Sequence, residues 1–172
     1  MEDALENKFA DILTFCEYYR PILVDEIALA DHPAYIHYGK CSVIGMLAST
    51  GDALESLCIP DLPSDMQLPD GTFSVVLCLN NYYGIVPKGN HVEVNGILKL
   101  RDKTTGVSAD AGVLRRVLLQ KDPKELRESY SRMLANYIPF IEVADIHGVL
   151  QARELISCNL KIRKLEGMFE FE

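Results

Sequence analysis

The chain lacks the features that mark membrane, metal-binding and disulfide-linked proteins. Within its 172 residues, no apolar run approaches the ~18 residues that a membrane-spanning helix needs. Its five cysteines are an odd number, no two form a C-x-x-C pair, and no histidine has the short spacing from cysteine that a structural zinc site requires. We therefore expect buried free thiols and a protein without membrane contact, metal ion or cofactor.

Enzyme motifs are missing as well. The sequence contains no G-x-S-x-G and no H-E-x-x-H motif, and no glycine-rich stretch has the lysine and the spacing of a phosphate-binding loop. A site assembled only in the folded chain, from His37, His91 or His147 with Cys41 or Asp145, stays open as an alternative. A lone histidine at a strand end is more often structural, so we expect no catalytic residues.

Positive charge is scarce and unevenly distributed. The formal net charge is −8; residues 1–75 hold 3 basic and 13 acidic side chains, whereas residues 76–172 hold 14 and 12. Because affinity for phosphate backbones comes largely from Lys and Arg, strong unaided binding of nucleic acid is not expected, and any anionic partner would meet the second half. The acidic N-terminus is unlike a targeting peptide and favours a cytosolic or nuclear location.

Alternation of apolar and polar residues, interrupted by glycines, dominates the middle of the chain. It predicts five strand segments: "YIHYGKCSVIGMLAST" (35–50), "ALESLCIPDL" (53–62), "TFSVVLCLN" (72–80), "NHVEVNGILKLRD" (90–102) and "GVLQARELISCNL" (148–160). Gly39, Gly45 and Gly96 fall inside strands, where a missing side chain lets a strand bend or a neighbouring backbone approach. This pattern favours a small, strongly curved sheet.

Two segments have the 3.6-residue period of amphipathic helices. The first covers residues 3–19 and ends before Pro21. Its apolar side includes Leu5, Phe9 and Ile12. The second begins with Asp122 as N-cap and Pro123 in the first turn, and Pro139 ends it. Its apolar face holds Leu126, Tyr130, Met133, Leu134, Tyr137 and Ile138.

The order of these elements predicts a mainly β protein with helices. A closed five-stranded Greek-key barrel explains the curved strands best, because closure leaves almost no exposed sheet edge. A chain of this length suits one domain, which we place over residues 1–172, with the N-terminal helix at 3–19 and a helical insertion at 102–138 before the last strand. The alternative is an open antiparallel α+β sheet.

Aromatic and basic residues in the predicted loops are candidates for nucleic-acid contact. Tyr82 and Tyr83 share a loop with Lys88, and rings beside a cation can stack on unpaired bases. The segment between the last two predicted strands is rich in basic residues, among them Arg101, Lys103, Arg115 and Arg116. The alternatives are that the tyrosines cap the barrel and that the basic residues, which are interleaved with acidic ones, form a solvated surface.

The apolar faces of the two predicted helices are candidates for partner binding. If one helix closes the barrel, the other has a face left for a helix of another protein. The candidate residues are Leu5, Phe9, Ile12, Leu126, Tyr130, Met133, Leu134 and Tyr137. The alternative is that both helices cover the core of their own chain.

Four segments carry a resemblance to a known family. They are "RPILVDEI" (20–27), "GKCSVIGML" (39–47), "GNHVEVNGILKL" (89–100) and "QARELISC" (151–158). In them the chain resembles the small single-barrel subunits with an oligonucleotide-binding (OB) fold, namely the smallest subunit of replication protein A and the small subunit of the telomeric single-strand-binding trimer. Those families have a similar V-x-G-x-L core in the first strand, and the penultimate strand repeats it. The resemblance implies a five-stranded OB-fold-like Greek-key barrel.

The resemblance also implies a function. Such proteins are non-catalytic subunits that form a heterodimer with a larger OB-fold partner, in a single-stranded-DNA-binding or telomere-capping complex at chromosome ends in the nucleus. Single-stranded DNA is then contacted through the complex. The chain departs from the family by its insertion at 102–138 and by a tail that we expect to be too short for a C-terminal docking helix. The alternatives are an autonomous single-stranded nucleic-acid-binding domain and a small enzyme with a spatially assembled site.

Overall fold

Six strands and three helices make up the part of the chain that this computed structural model describes, which is residues 19–29, 39–57, 72–87, 91–109 and 122–169. In chain order they are β1 (Arg20–Leu23), α1 (Val24–Leu29), β2 (Lys40–Leu47), β3 (Ala53–Glu55), β4 (Ser74–Cys78), β5 (His91–Asp102), α2 (Pro123–Asn136), β6 (Tyr137–Gly148) and α3 (Ala152–Phe169). The predicted helix at 3–19, with Leu5, Phe9 and Ile12, lies outside the described residues apart from its last position.

Five of the strands close into a ring, which confirms the predicted OB-fold-like Greek-key barrel. The ring runs β2–β3–β4–β6–β5 and returns to β2. Its pairs are antiparallel, except that β4 and β6 run parallel. β1 lies outside the ring, where it pairs in parallel with the first half of β2. Closure pairs the backbone N–H and C=O groups that would be left without partners at the edges of an open sheet.

The barrel core is filled from the inward side of each strand. On β5 the buried residues alternate with exposed or half-buried ones along its whole length. The inward set of β5 is Val92, Val94, Gly96, Leu98 and Leu100, and Val43 of β2 stands directly opposite Val94. The two V-x-G-x-L segments of the sequence therefore meet at this valine pair and extend from it in opposite directions along the paired strands β2 and β5.

Two strand glycines are required by the close approach of a neighbouring strand. A Cβ on Gly96 would lie 2.4 Å from the backbone oxygen of Glu142, and a Cβ on Gly45 would lie 2.6 Å from that of Glu55. Beside Gly96, β6 carries one extra residue, Ala144, which has no partner on β5. Such a bulge bends a strand and increases its twist. The glycine in the middle of β5 thus marks a point of coiling, as the sequence predicts.

The helix α2 forms as the sequence predicts at its start but ends earlier. The side chain of Asp122 accepts hydrogen bonds from the backbone amides of Lys124, at 2.8 Å, and Glu125, at 3.4 Å. The helix ends at Asn136, and Tyr137 already has extended backbone angles. Because Pro139 disfavours the helical conformation in the residue before it, the chain turns into a strand there.

The predicted last strand at 148–160 is wrong. The last barrel strand is β6, and residues 152–169 form the helix α3. The apolar residues of this segment that touch the body of the protein follow a helical spacing and not an alternation. They are Ala152, Ile156 and Leu160, which pack against Leu23, Ile44 and Leu57 on the outer side of β1 and β2. A second, smaller core therefore joins α3 to the barrel.

We expect Gly96→Ala to lower the free energy of unfolding by ~1–3 kcal/mol, because the added methyl group meets a backbone carbonyl that cannot move without breaking the barrel wall. Urea denaturation followed by circular dichroism measures the change. Gly148→Ala is the matched control, since its Cβ would meet only Pro87 Cβ at 3.9 Å. Equal stability of the two variants would contradict the close-approach explanation.

Candidate functional site

The apolar face of α2 packs into the core of its own chain. Tyr130 is 0% exposed, and its hydroxyl donates to the backbone oxygen of Ile27 at 3.4 Å. Burial raises the pKa of Tyr130 above its ordinary value. Met133, Leu134 and Tyr137 are half-buried against the same core, and Leu126 also lies on α2. The prediction that Tyr130 contacts a partner is therefore corrected: α2 caps the barrel.

The two tyrosines of the loop after β4 have different positions. The ring of Tyr82 packs against the core, and its hydroxyl donates to the backbone oxygen of Ile85 at 3.0 Å and lies 3.4 Å from that of Ile146. Tyr83, in contrast, is 93% exposed. Of the two tyrosines, only Tyr83 has an aromatic ring that a ligand could reach.

The two basic candidates among the described residues, Arg101 and Lys103, are not brought together with these tyrosines. Arg101 is half-buried near the end of β5, and the ammonium group of Lys103 donates to the last carbonyls of α2, at Leu134 (2.8 Å) and Ala135 (3.2 Å). The loop of Tyr82 and Tyr83 adjoins the opposite end of β5, roughly 30 Å or more away along the strand. Lys88, Arg115 and Arg116 lie outside the described residues. Lys103 thus stabilises a helix end.

A turn at Asp102 holds this end of β5 in place. The carboxylate of Asp102 accepts hydrogen bonds from the backbone amides of Thr105, at 3.0 Å, and Thr104, at 2.7 Å, and these bonds lower the pKa of Asp102. A carboxylate that stays ionised beside Arg101 and Lys103 offsets part of their positive charge. The described part of the basic segment is therefore weaker as a phosphate site than its sequence indicates.

The residues of the alternative, enzymatic site come together only in part within the described residues: His147 lies beside Asp145, whereas Cys41 is buried in the core. The thiol of Cys41 lies in the core, and burial raises its pKa to about 12, so the reactive thiolate is absent near neutral pH. His91 and His147 are exposed. The ring nitrogens of His147 lie 3.3 Å from Asp145 and 3.3 Å from Glu93. His37 is outside the described residues.

The described residues show neither a metal-binding cluster nor a membrane-spanning helix. Residues 19–29, 39–57, 72–87, 91–109 and 122–169 hold no group of three or more His, Cys, Asp or Glu side chains placed to bind a metal ion. Among the helices found there, none is long and apolar enough to cross a membrane.

The helix α3 has a second apolar stripe that sequence reasoning missed. We name it the outer stripe: positions 155, 158, 162, 165 and 169, occupied by Leu, Cys, Ile, Leu and Phe. Their spacing of three and four residues is that of a coiled-coil seam. Leu155 is 41% exposed and Cys158 is exposed. At 3.6 residues per turn the outer stripe lies roughly 140° around the helix from the stripe that packs on the barrel.

A closed five-stranded ring with a capping helix before its last strand and a helix after that strand defines a small OB-fold-like protein. The family model of the Modigliani telomere protection protein matches residues 17–166, so the chain belongs to this family. The protein modigliani of Drosophila melanogaster is similar to it, with 27% identity over 161 residues that cover 88% of this chain and 90% of that protein. No solved structure matches the chain.

We expect Tyr130→Ala to lower the free energy of unfolding by ~3–5 kcal/mol, because it empties the space under α2, whereas Tyr130→Phe keeps the ring and costs about 1 kcal/mol. Thermal and urea denaturation test both. Ser131→Ala, on the exposed side of the same turn, is the control and should keep normal stability. If Tyr130→Ala were as stable as this control, α2 would not be part of the core.

Proposed function

We propose that the chain is a non-catalytic subunit of a telomere-capping complex, in which α3 joins it to a larger OB-fold partner. Membership of the telomere protection family supports a role at chromosome ends, and hence in the nucleus. The exposure of Leu155 and Cys158 is the single observation that carries the heterodimer, because these two residues lie at seam spacing on a side of α3 other than the one that packs on the barrel, and the sequence continues this spacing at positions 162, 165 and 169.

The structure of α3 removes the objection that the tail is too short to dock a partner. The helix has 18 residues, and its outer stripe runs over 15 positions, which is about 21 Å along the axis. The inner stripe fixes the helix to β1 and β2 through Ile156 and Ala152. A partner helix would therefore meet a helix whose first half is already held against the barrel, which lowers the conformational entropy that association costs.

Charged side chains border the outer stripe on one side. Arg153 and Lys161 lie on this flank of α3, with Glu154 and Ser157 between them along a shallow groove that reaches Cys158. Flanking charges of this kind set partner choice and helix orientation more than they add affinity. We propose that the partner helix carries acidic residues opposite Arg153 and Lys161.

We expect Leu155→Asp to weaken the complex with the larger OB-fold subunit by about tenfold or more, because it places a charge in the apolar seam. Co-expression of both chains followed by size-exclusion chromatography with light scattering measures the loss of the 1:1 species. Ser131→Asp, which adds the same charge at an exposed position of α2, should leave the complex intact. Equal binding of Leu155→Asp and the unaltered chain would refute docking through α3.

Single-stranded DNA, in this proposal, is bound through the complex and not by the chain alone. The net charge of −8 and the use of Lys103 to hold the end of α2 leave few cations for phosphates. Arg101, with Arg115 and Arg116 further along the insertion, is proposed to add contacts once the partner supplies most of the affinity. The loop between the last two barrel strands flanks the oligonucleotide groove in proteins of this fold.

We expect the isolated chain to show no measurable binding to a single-stranded oligonucleotide at about 150 mM salt, and the complex to bind with an affinity that falls as salt rises. In the complex, Arg101→Ala should reduce the salt slope by about 1, while Arg132→Ala, on the exposed side of α2, should not. Fluorescence anisotropy over a salt series measures this. Tight binding by the isolated chain would instead support an autonomous binding domain.

A further inference from the structure

We propose that the partner interface continues from α3 onto one end of the barrel, where Tyr83, Ile85 and Leu150 form a second apolar contact. We call these three residues the barrel-end patch. They are 93%, 89% and 102% exposed, the three highest exposures among the large apolar side chains of the described residues. This inference rests on the proposed function, because it assumes that α3 meets the larger OB-fold subunit.

The loop that presents Tyr83 and Ile85 is held in a fixed shape. The chain wraps around the side chain of Tyr82, whose hydroxyl bonds to Ile85 O at 3.0 Å, and the backbone amide of Tyr82 donates to Leu79 O at 3.0 Å. A Cβ on Gly84 would meet the ring and hydroxyl of Tyr82, so a larger residue there would displace the Tyr82 side chain. Two large apolar side chains on an ordered loop are typical of a binding surface.

The barrel-end patch adjoins the start of α3. The loop touches the end of β6, since the Tyr82 hydroxyl lies 3.4 Å from Ile146 O and Pro87 Cβ lies 3.9 Å from the Cβ position of Gly148. The backbone amide of Val149 then donates to His91 O at 3.0 Å. Leu150 follows directly, and α3 begins two residues later. One partner surface can therefore cover the patch and the outer stripe together.

The charges at this end of the barrel favour a protein over a nucleic acid. The described segments that meet there, residues 44–57, 79–87, 91–98 and 143–152, contain no Lys and no Arg. Their ionised side chains are acidic, among them Glu93 and Asp145 on either side of His147. A polyanion would find no cation on these described segments, whereas an apolar protein surface with a basic rim would be complementary.

The area that a stable interface needs also indicates that the contact with the partner extends beyond α3. Specific interfaces bury about 800 Å² on each partner and involve roughly 20–30 residues a side. The outer stripe offers five positions, too few for a lasting 1:1 complex by itself. Tyr83, Ile85 and Leu150 add exposed apolar surface to these positions, and tyrosine is among the residues most often found at the energetic centre of an interface.

Thiol labelling of the full-length complex tests the proposal. Ile85→Cys and Val107→Cys place thiols on the barrel-end patch and in the turn at the far end of β5, where Val107 is also exposed. Native Cys158 reports on the outer stripe. Each variant is treated with a maleimide alone, with the larger OB-fold subunit bound, and with a single-stranded dT oligonucleotide. Mass spectrometry of the peptides gives the rate at each cysteine.

We expect the partner to slow labelling at position 85 and at Cys158 by about tenfold or more, and to leave position 107 unchanged, because a thiol in a dry interface is inaccessible. Protection of Cys158 with normal labelling at position 85 would overturn the extended interface while the α3 contact stands. Normal labelling at both would contradict the α3 contact itself. Protection of position 85 by the oligonucleotide alone would overturn the proposal in favour of base stacking on Tyr83.

Discussion

The pairing of β2 with β5 is the contact on which the rest of the structure depends. It joins residues 40–46 to 91–97 and turns a row of strands into a ring. A ring of five strands must curve strongly, and two backbones can approach closely enough only where a side chain is absent. Gly45 meets β3 in this way, and Gly96 meets β6. Each glycine of the two V-x-G-x-L segments therefore serves the closure of the same barrel.

The barrel could be predicted from the sequence because its signals are local. β4 and β5 alternate along their length, and the glycines report the curvature directly, whereas the buried residues of β6 do not alternate and no strand was predicted there. The start of α2 was equally readable, since Asp122 and Pro123 act within one turn of the helix. The residues that cover the apolar face of α2 are distant from it in the sequence, so no local pattern identifies them. The periodicity of Tyr130 and its neighbours shows that the face is apolar, and only the tertiary structure shows that it meets Ile27 and the barrel core.

The helix α3 escaped prediction for a related physical reason. A helix that packs on one side shows a single apolar stripe, whereas α3 has two, on nearly opposite sides. In the linear sequence the residues of the two stripes are interleaved, so apolar residues occur more often than one stripe requires. The segment 148–160 therefore resembles the loose alternation of a strand. The same property that hid the helix is the one expected of an element that packs on its own barrel and on another molecule.

The outer strand β1 gives α3 its position. Because β1 pairs in parallel beside β2, Leu23 and Ile44 lie next to each other on the outer surface. A five-stranded barrel without β1 would offer α3 a narrower apolar surface to pack against. Ile156 is 1% exposed at this junction, so the first half of α3 is fixed to the barrel while Leu155 and Cys158 of the outer stripe stay exposed. The acidic end of the barrel and the net charge of −8 disfavour binding of a phosphate backbone by this chain alone. Its fold is better suited to present two ordered apolar surfaces, at α3 and at the barrel end, from one rigid support.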